Sequence, residues 1–281
     1  FHPIQSIQVM KTKHYLTIRQ MFVCCMLLAF SGAFTACEKE PLSMVKNSQV
    51  NAVPVVQQSV KGSVTPTALA NPHYWVALMV QNITPATNFY DTRANLLTWT
   101  GQNGASAYAC STDCSGLLTG LLKQSYGYSN TYMKNWTGKS DPYASNYYNE
   151  IVTQDRFVRV QQVSQIMQGD IIALKYPTGS TSTGHIMIAD GPATVRGSTA
   201  PLVSGTVQYE IPVYDCSSSG HGGSDTRYLS SSAWDDGVGR GVFRIYADAT
   251  GAMVGYTWST YTNSVYYNQS QRQLVVGRHT P

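Results

Sequence analysis

The chain has 281 residues, a formal net charge of +4 and a hydrophobic content of 43%, which excludes a largely disordered protein. Charged residues make up only 12%, while Tyr, Ser, Thr, Asn and Gly are abundant, as is typical of a strand-rich protein outside the cytoplasm. Three basic and no acidic residues fall in the first 36 positions, so the remainder is nearly balanced in charge. Such a balance gives no support to nucleic-acid binding.

The N-terminal segment is typical of an export signal. A basic stretch from Met10 precedes the apolar run MFVCCMLLAFSGAF, which is too short for a comfortable membrane-spanning helix. The run ends in FTAC, which resembles a bacterial lipobox and predicts lipidation of Cys37. We interpret residues 1–36 as upstream residues followed by a lipoprotein signal peptide. An ordinary secretory signal and an uncleaved membrane anchor are the alternatives.

The rest of the chain divides into a tether and one domain. Residues 37–68 contain three prolines and show no sustained helical or strand period, so they predict a flexible tether. Residues 69–281 show no internal repeat and are interpreted as one globular domain. The predicted location is the cell envelope, with a lipid anchor in the membrane and the domain on the periplasmic or outer-membrane face.

Three of the six cysteines fall in the predicted domain: Cys110, Cys114 and Cys216. An odd number of cysteines in an oxidising compartment indicates one disulfide and one thiol kept free for chemistry. Cys110 and Cys216 have no helix start beside them, and we predict that these two form the disulfide. Cys114 then remains as the free thiol.

Cys114 opens a helix-like run, CSGLLTGLLKQSYG, in which leucines recur at helical spacing. Asp113 is the predicted N-cap, and Gly127 marks the end of the helix. A cysteine in the first turn of a helix meets the positive end of the helix dipole and unpaired amides, which stabilise a thiolate. The sequence therefore indicates a nucleophile, and a small core residue is the alternative interpretation.

The base and its partner are predicted on the strands that follow. The runs GDIIALKY and GHIMIADG indicate adjacent antiparallel strands, with His185 at the start of the second. Asp215 ends the next run, VQYEIPVYDC, where it can orient an imidazole and stabilise its charged form. His221 is the alternative orienting group. A zinc site built from His221 and Asp225 is a weaker hypothesis, because no tight cluster of ligands is visible.

The C-terminal part is also rich in strand-forming residues. Asp248 to Gly251 predicts a hairpin turn between two such runs. Glycines at 237, 239 and 241 are interpreted as turn residues, because no helix start or lysine follows them as in a phosphate-binding loop. The aromatic residues in this part are expected to pack in the core or to line a groove: Trp234, Tyr256 and Trp258.

Four sequence features together resemble NlpC-type papain-like peptidases, which trim bacterial cell walls. They are Asp-Cys-Ser-Gly opening a helix, Gly169-Asp170 before a strand, Gly184-His185 opening the next strand, and a polar residue ending the strand after that. The resemblance covers about residues 85–220. It implies an α+β papain-like fold, with N-terminal helices and the nucleophile helix packed on an antiparallel sheet of about five or more strands.

The resemblance also implies a catalytic triad of Cys114, His185 and Asp215, although the third group is usually His, Asn or Gln. Asp113 and Ser115 are expected to bind the free amine of a substrate. A tyrosine upstream of the cysteine usually helps to hold the substrate, and the residues in that neighbourhood are Trp99 and Tyr108.

The expected activity is cleavage of amides in peptidoglycan stem peptides, as a D,L-endopeptidase or an amidase. The expected protein is a monomer that uses no cofactor or metal and binds no nucleic acid. The same chemistry on another amide or ester, and a non-catalytic lipoprotein that binds wall peptides, are the alternatives.

Overall fold

The computed structural model describes residues 71–92, 94–230 and 233–281, which all belong to one compact unit. The predicted signal peptide, the lipidation site at Cys37 and the tether at 37–68 lie outside the described residues. Within the described residues, no helix combines the length and the apolar character that crossing a bilayer requires.

Four α-helices lie in the first half of the described chain. They are α1 (Pro72–Asn82), α2 (Cys114–Tyr126), α3 (Asn130–Thr137) and α4 (Ala144–Thr153). Asn71, Asp113 and Ser129 cap the first three, because each side chain accepts a hydrogen bond from a first-turn amide. The prediction for α2 is confirmed: it starts after Asp113 and ends at Gly127, whose φ of 70° suits glycine.

The first three strands form a small sheet with β3 in its centre. They are β1 (Asn88–Tyr90), β2 (Leu96–Thr98) and β3 (Ala109–Thr112). β1 runs parallel to β3, and β2 runs antiparallel to it. Because β3 leads directly into α2, this sheet fixes the start of the helix that carries Cys114.

Nine further strands form one large antiparallel sheet. They are β4 (Phe157–Val160), β5 (Ile171–Lys175), β6 (Gly184–Ala189), β7 (Thr194–Val195), β8 (Val207–Ser217), β11 (Gly237–Ala247), β12 (Met253–Thr257), β13 (Tyr266–Asn268) and β14 (Gln273–His279). Their order is β13-β12-β11-β8-β6-β5-β14-β4, and β7 pairs with β8. A separate hairpin joins β9 (Tyr228–Ser230) to β10 (Ala233–Trp234).

The predicted α+β papain-like fold class is wrong. The described residues are mostly β, with fourteen strands against four α-helices, and nine of the strands form the main sheet. Two strands of eleven residues each, β8 and β11, pair along their whole length and dominate the sheet. The first half, expected to be helical, also contains the three strands of the small sheet. The periodic helix at Cys114 is a strong local signal, whereas a sheet results from pairings between distant segments.

Two local predictions in the sheet are confirmed. β5 and β6 are adjacent and antiparallel, with Leu174 opposite His185. The turn after β11 is closed by a hydrogen bond from the Gly251 amide to the Asp248 carbonyl, with an N to O distance of 2.9 Å. Both depend on residues that are close together in the chain.

The large sheet separates two buried apolar layers. On the helix side, Ile186 and Ile188 of β6 pack with leucines of α2, including Leu117 and Leu118. On the other side, Met187 packs with residues of β8, β11 and β14. Since neighbouring residues of a strand face opposite sides, β6 is buried on both faces and holds α2 in a fixed position.

His279, at the end of β14, lies in an aromatic cluster. Its ring stacks on Tyr126 at 5.1 Å and meets Phe157 edge-on at 5.2 Å, and neither ring nitrogen has a hydrogen-bond partner. Burial, and then the charge of Arg156, lower the pKa of His279 from 6.5 to about 4. The imidazole is therefore neutral in the folded protein above pH 4.

This burial predicts a pH-dependent loss of stability. The unfolded chain protonates His279 near its ordinary pKa of 6.5, whereas the folded chain does so only near 4. The contribution of neutral His279 to the free energy of unfolding is complete above pH 6.5. It falls by about 3 kcal/mol as the pH decreases to 4. Urea unfolding of wild type and His279→Phe between pH 4 and 7 measures it. The free energy of unfolding should fall more steeply in wild type, and equal slopes would contradict the assignment.

Candidate active site

The Cys114 thiol lies at the start of α2 and is 6% exposed. Asp113 Oδ1 accepts hydrogen bonds from the Gly116 amide at 2.7 Å and from Ser115 Oγ at 2.9 Å, which fixes the first turn. The amides of Cys114 and Ser115 have no carbonyl partner within the helix. The sulfur therefore sits at the positive end of the helix dipole.

His185 is the second residue of β6, and the glycine before it is required. Gly184 has a φ of 152°, and a Cβ there would overlap the carbonyl oxygen of Leu174 on β5. This close approach of the strands places His185 beside α2, where the charge of Cys114 acts on its ring. The other side of the ring is held by Asp215, with Nε2 2.7 Å from Oδ2. The predicted base, His185, therefore lies between the predicted nucleophile, Cys114, and the predicted orienting residue, Asp215.

The surroundings of His185 stabilise its protonated form. Burial alone lowers the pKa of the imidazole, but electrostatic interaction with Cys114 and the hydrogen bond to Asp215 outweigh it. The result is a pKa of about 10. At neutral pH His185 is an imidazolium, and it faces a sulfur whose negative charge it can stabilise.

Asp215 is a fully buried carboxylate on β8. Burial raises the pKa of the carboxyl, but Arg227, His221 and the hydrogen bond from His185 more than offset it, so the pKa lies well below its usual range. Arg227 Nη2 is 2.7 Å from Oδ1, on the side of the carboxylate away from His185. Asp215 is therefore charged at neutral pH and has a partner on each oxygen.

His221, the alternative orienting group, forms hydrogen bonds to Asp215 and Trp258 and none to His185. Its Nε2 lies 3.1 Å from Asp215 Oδ2, and its Nδ1 lies 2.6 Å from the carbonyl oxygen of Trp258. Its ring stacks on Trp258 with centroids 4.2 Å apart. The arrangement assigns orientation of His185 to Asp215, while His221 holds Asp215 in place.

The loop between β8 and β9 carries a second buried ion pair. Asp225 accepts hydrogen bonds from Arg227 Nε at 2.9 Å and from the His221 amide at 2.9 Å. Arg227 thus joins two carboxylates, Asp215 and Asp225, and is 2% exposed. A buried cation between two hydrogen-bonded carboxylates is compensated on both sides.

The glycines of β11 are strand residues, not turn residues as predicted. Gly239 pairs directly with Asp215, and a Cβ at 239 would overlap the Arg227 side chain. A Cβ on Gly241 would lie 2.8 Å from two carbons of His221. These glycines provide the space in which the charged loop packs on the sheet.

Cys110 and Cys216 are close together but are not bonded. All three cysteines of the described residues are free, and the two sulfurs lie 4.0 Å apart, about twice the length of a disulfide bond. The predicted disulfide is therefore not present. Cys216 Sγ donates a hydrogen bond to the Thr112 carbonyl at 3.0 Å. Burial, and then contact with Cys110, raise the pKa of the Cys216 thiol well above its ordinary value.

Two pockets open on either side of the cysteine and histidine. The thiol-side pocket has a volume of about 450 Å³ and includes Asp113, Cys114 and Ser115. The imidazole-side pocket has a volume of about 360 Å³ and includes residues from five segments: Tyr90, Tyr176, His185, Ser217, Ser218, Ser219, Tyr256, Trp258, Tyr267 and Arg272. Tyr90, Ser182 and Gly184 line both pockets, so the two form a cleft across Cys114 and His185.

The structure brings two of the four predicted substrate-binding residues to this cleft. Asp113 and Ser115 lie in the thiol-side pocket, next to Cys114. Trp99 and Tyr108 line neither pocket, which corrects the prediction. Trp99 is 4% exposed and donates from Nε1 to the Trp75 carbonyl, and Tyr108 packs against the apolar core. Both side chains have structural contacts instead.

Tyr90 is one of the cleft residues that the sequence analysis missed. It lies in β1 and pairs with Thr112 of β3, two residues before Cys114. Burial, and then the charges of Cys114 and Asp113, raise its pKa, so the phenol stays protonated and can donate a hydrogen bond. The parallel pairing of β1 and β3 is not visible in sequence spacing. Among the aromatic residues considered, Tyr256 and Trp258 line the cleft, whereas Trp234 packs on Tyr228.

Metal binding has no support in the part of the chain that the structure describes. Within these ranges, no group of three or more His, Cys, Asp or Glu side chains is arranged to hold a metal ion. His221 and Asp225, the residues of the zinc hypothesis, are instead engaged with Asp215 and Arg227.

The fold and the site define a mostly β protein in which a cysteine and a histidine line an open cleft and a buried aspartate contacts the histidine. No protein-family model matches the chain, and no solved structure matches it. The chain is 33% identical over 189 residues to the uncharacterized protein R653 of Acanthamoeba polyphaga mimivirus. The aligned region covers 64% of this chain and 83% of the viral protein. The chain belongs to the family of that viral protein. The resemblance to NlpC-type peptidases therefore rests on short motifs alone.

The glycine at 239 is expected to be essential for the charged loop. Gly239→Ala should lower the free energy of unfolding by about 1–3 kcal/mol, because its methyl group displaces Arg227. Urea unfolding measures the change. Gly197→Ala is the matched control, since a Cβ at 197 meets nothing within 4 Å. Equal stability of the two variants would contradict this role.

Protonation of His185 can be measured without a substrate. In ¹⁵N-resolved histidine NMR, the His185 ring should titrate near pH 10 in wild type. Asp215→Asn should lower that pKa by about 1–3 units, because a carboxylate that stabilises the imidazolium is lost. Asp155→Asn removes the same negative charge from an exposed position and should leave the titration of His185 unchanged. Titration of His185 near its ordinary pKa in wild type would disprove the interaction with Cys114 and Asp215.

Proposed function

We propose that the chain is a thiol-dependent hydrolase of amide bonds, with Cys114 as nucleophile, His185 as acid and base, and Asp215 as the orienting residue. One observation carries the proposal: Asp215 is hydrogen-bonded to the His185 ring, and this ring interacts with Cys114 at the start of α2, beside an open cleft. A nucleophile in contact with a base that a third group orients is the arrangement of covalent acyl transfer.

The proposed first step forms a thioester. The Cys114 thiolate attacks the carbonyl carbon of an amide, and the carbonyl oxygen becomes an oxyanion near the amides of Cys114 and Ser115. His185, already protonated, gives its proton to the leaving nitrogen as the C–N bond breaks. The amine departs, and the acyl group remains on the sulfur.

The second step regenerates the thiolate. His185, now neutral, takes a proton from water as the water oxygen attacks the thioester carbonyl. The C–S bond breaks, the acid product leaves, and the imidazolium and thiolate are restored. Asp215 keeps its charge throughout and holds Nε2 of His185, so that Nδ1 remains directed to the reacting atoms.

As substrate we propose amides in the peptide stems of peptidoglycan, cleaved as an endopeptidase or an amidase by a lipid-anchored protein of the cell envelope. The support is the short motifs around Cys114 and His185 and the export-like N-terminal sequence. The alternative is a non-catalytic protein that binds the same peptides. Such a protein would release no hydrolysis product, whereas the proposed enzyme would.

Mass analysis of purified muropeptide digests tests the proposal. Wild type should release products with one water added, and Cys114→Ala should lose activity by at least about a thousandfold, because no other group replaces the sulfur. Cys110→Ala, a change at another buried thiol, should retain activity.

Equal product from wild type and Cys114→Ala would exclude Cys114 as nucleophile. No product from wild type, with Cys114 still selectively alkylated by iodoacetamide, would exclude the peptidoglycan substrate and retain the reactive thiol. A Cys114 that is neither alkylated nor needed for turnover would exclude the thiol mechanism.

A further inference from the structure

The imidazole-side pocket contains a cation that the proposed reaction does not use. Arg272 lies between β13 and β14, and its guanidinium carbon is 3.9 Å from the centre of the Tyr267 ring and 4.2 Å from that of Tyr176. Contact with two aromatic rings holds the flexible side chain in one position. The N–H donors lie in the guanidinium plane, so contacts with ring faces do not consume them.

Arg272 has no acidic partner within the described ranges. No aspartate or glutamate lines the imidazole-side pocket, whereas Arg196, Arg227, Arg240 and Arg278 each form an ion pair. Tyrosines and serines form most of the polar wall around it. A partly buried arginine held in position without a counter-charge leaves its strongest interaction, a two-pronged bond to a carboxylate, available to a ligand.

The two halves of the cleft differ in charge. The thiol-side pocket is lined by Asp113 and by no lysine or arginine, and the imidazole-side pocket is lined by Arg272 and by no acid. Hydroxyl donors of Ser217, Ser218 and Ser219 lie on the same side as Arg272. A negatively charged group of a bound molecule is therefore favoured in the imidazole-side pocket and disfavoured beside Asp113.

We propose that Arg272 is a specificity-determining residue that binds a carboxylate of the substrate in the imidazole-side pocket. The inference rests on the proposed function and narrows it: the substrate is an amide that carries a free carboxylate on the histidine side of the scissile bond. A neutral amide of the same shape leaves the guanidinium unpaired in the pocket and is a poorer substrate.

Matched alkylating probes test this assignment without requiring hydrolysis. Bromoacetyl-alanine and bromoacetyl-alanyl-alanine each carry a terminal carboxylate, and their C-terminal amides are neutral copies. In each reaction the Cys114 thiolate displaces bromide and forms a C–S bond. The second-order rate constant for modification of Cys114 is followed by mass spectrometry of the intact protein and its peptides.

In wild type, at least one carboxylate probe should react about tenfold faster than its amide copy. Arg272→Gln should reduce this ratio to about one to two. Arg272→Lys should retain part of the preference. Arg159→Gln, which removes the same charge from an exposed position outside both pockets, should keep the full ratio.

The outcomes separate the two proposals. If Cys114 reacts but the ratio in Arg272→Gln equals that in wild type, the carboxylate site is disproved and the reactive thiol stands. If wild type Cys114 reacts with none of the four probes, the proposed thiol mechanism fails and the substrate assignment fails with it. A ratio that falls equally in Arg272→Gln and Arg159→Gln would assign the preference to net charge and overturn the role of Arg272.

Discussion

The buried carboxylate of Asp215 is the constraint on which the site depends. A charge taken fully out of water is tolerated only when hydrogen-bonded partners compensate it. Arg227 occupies one oxygen, and His185 and His221 share the other. The need to compensate the Asp215 charge explains the loop folded over β11, the glycines beneath that loop and the orientation of His185. The orientation of His185 in turn places its ring beside Cys114.

Sequence reasoning succeeded where the signal is local. The helix at Cys114 has a cap, a leucine period and a terminal glycine within fifteen residues, and the structure has that helix. The hairpin that carries His185 is similarly compact. Asp215 was identified because it ends the next strand run, where an acceptor can orient the imidazole of His185. These three segments account for the whole reactive chain.

Sequence reasoning failed where the structure depends on distant pairing. The fold class was wrong because nine strands drawn from residues 157–279 form one sheet, and no local pattern encodes their order. Tyr90 reaches the cleft through a parallel pairing with β3, so its place could not be read from its distance to Cys114. The glycines of β11 looked like turn residues, because the arginine that they accommodate lies in a separate loop.

The placement of β11 also determines when the site can exist. This strand follows Cys114 by more than 100 residues, yet its glycines pack against Arg227 and His221, the partners of Asp215. Pairing between segments that are separated in the chain costs loop-closure entropy before the contacts can stabilise it. The ion pairs around Asp215 are therefore complete only when β11 has paired with β8, since Gly239 lies opposite Asp215 and leaves room for Arg227.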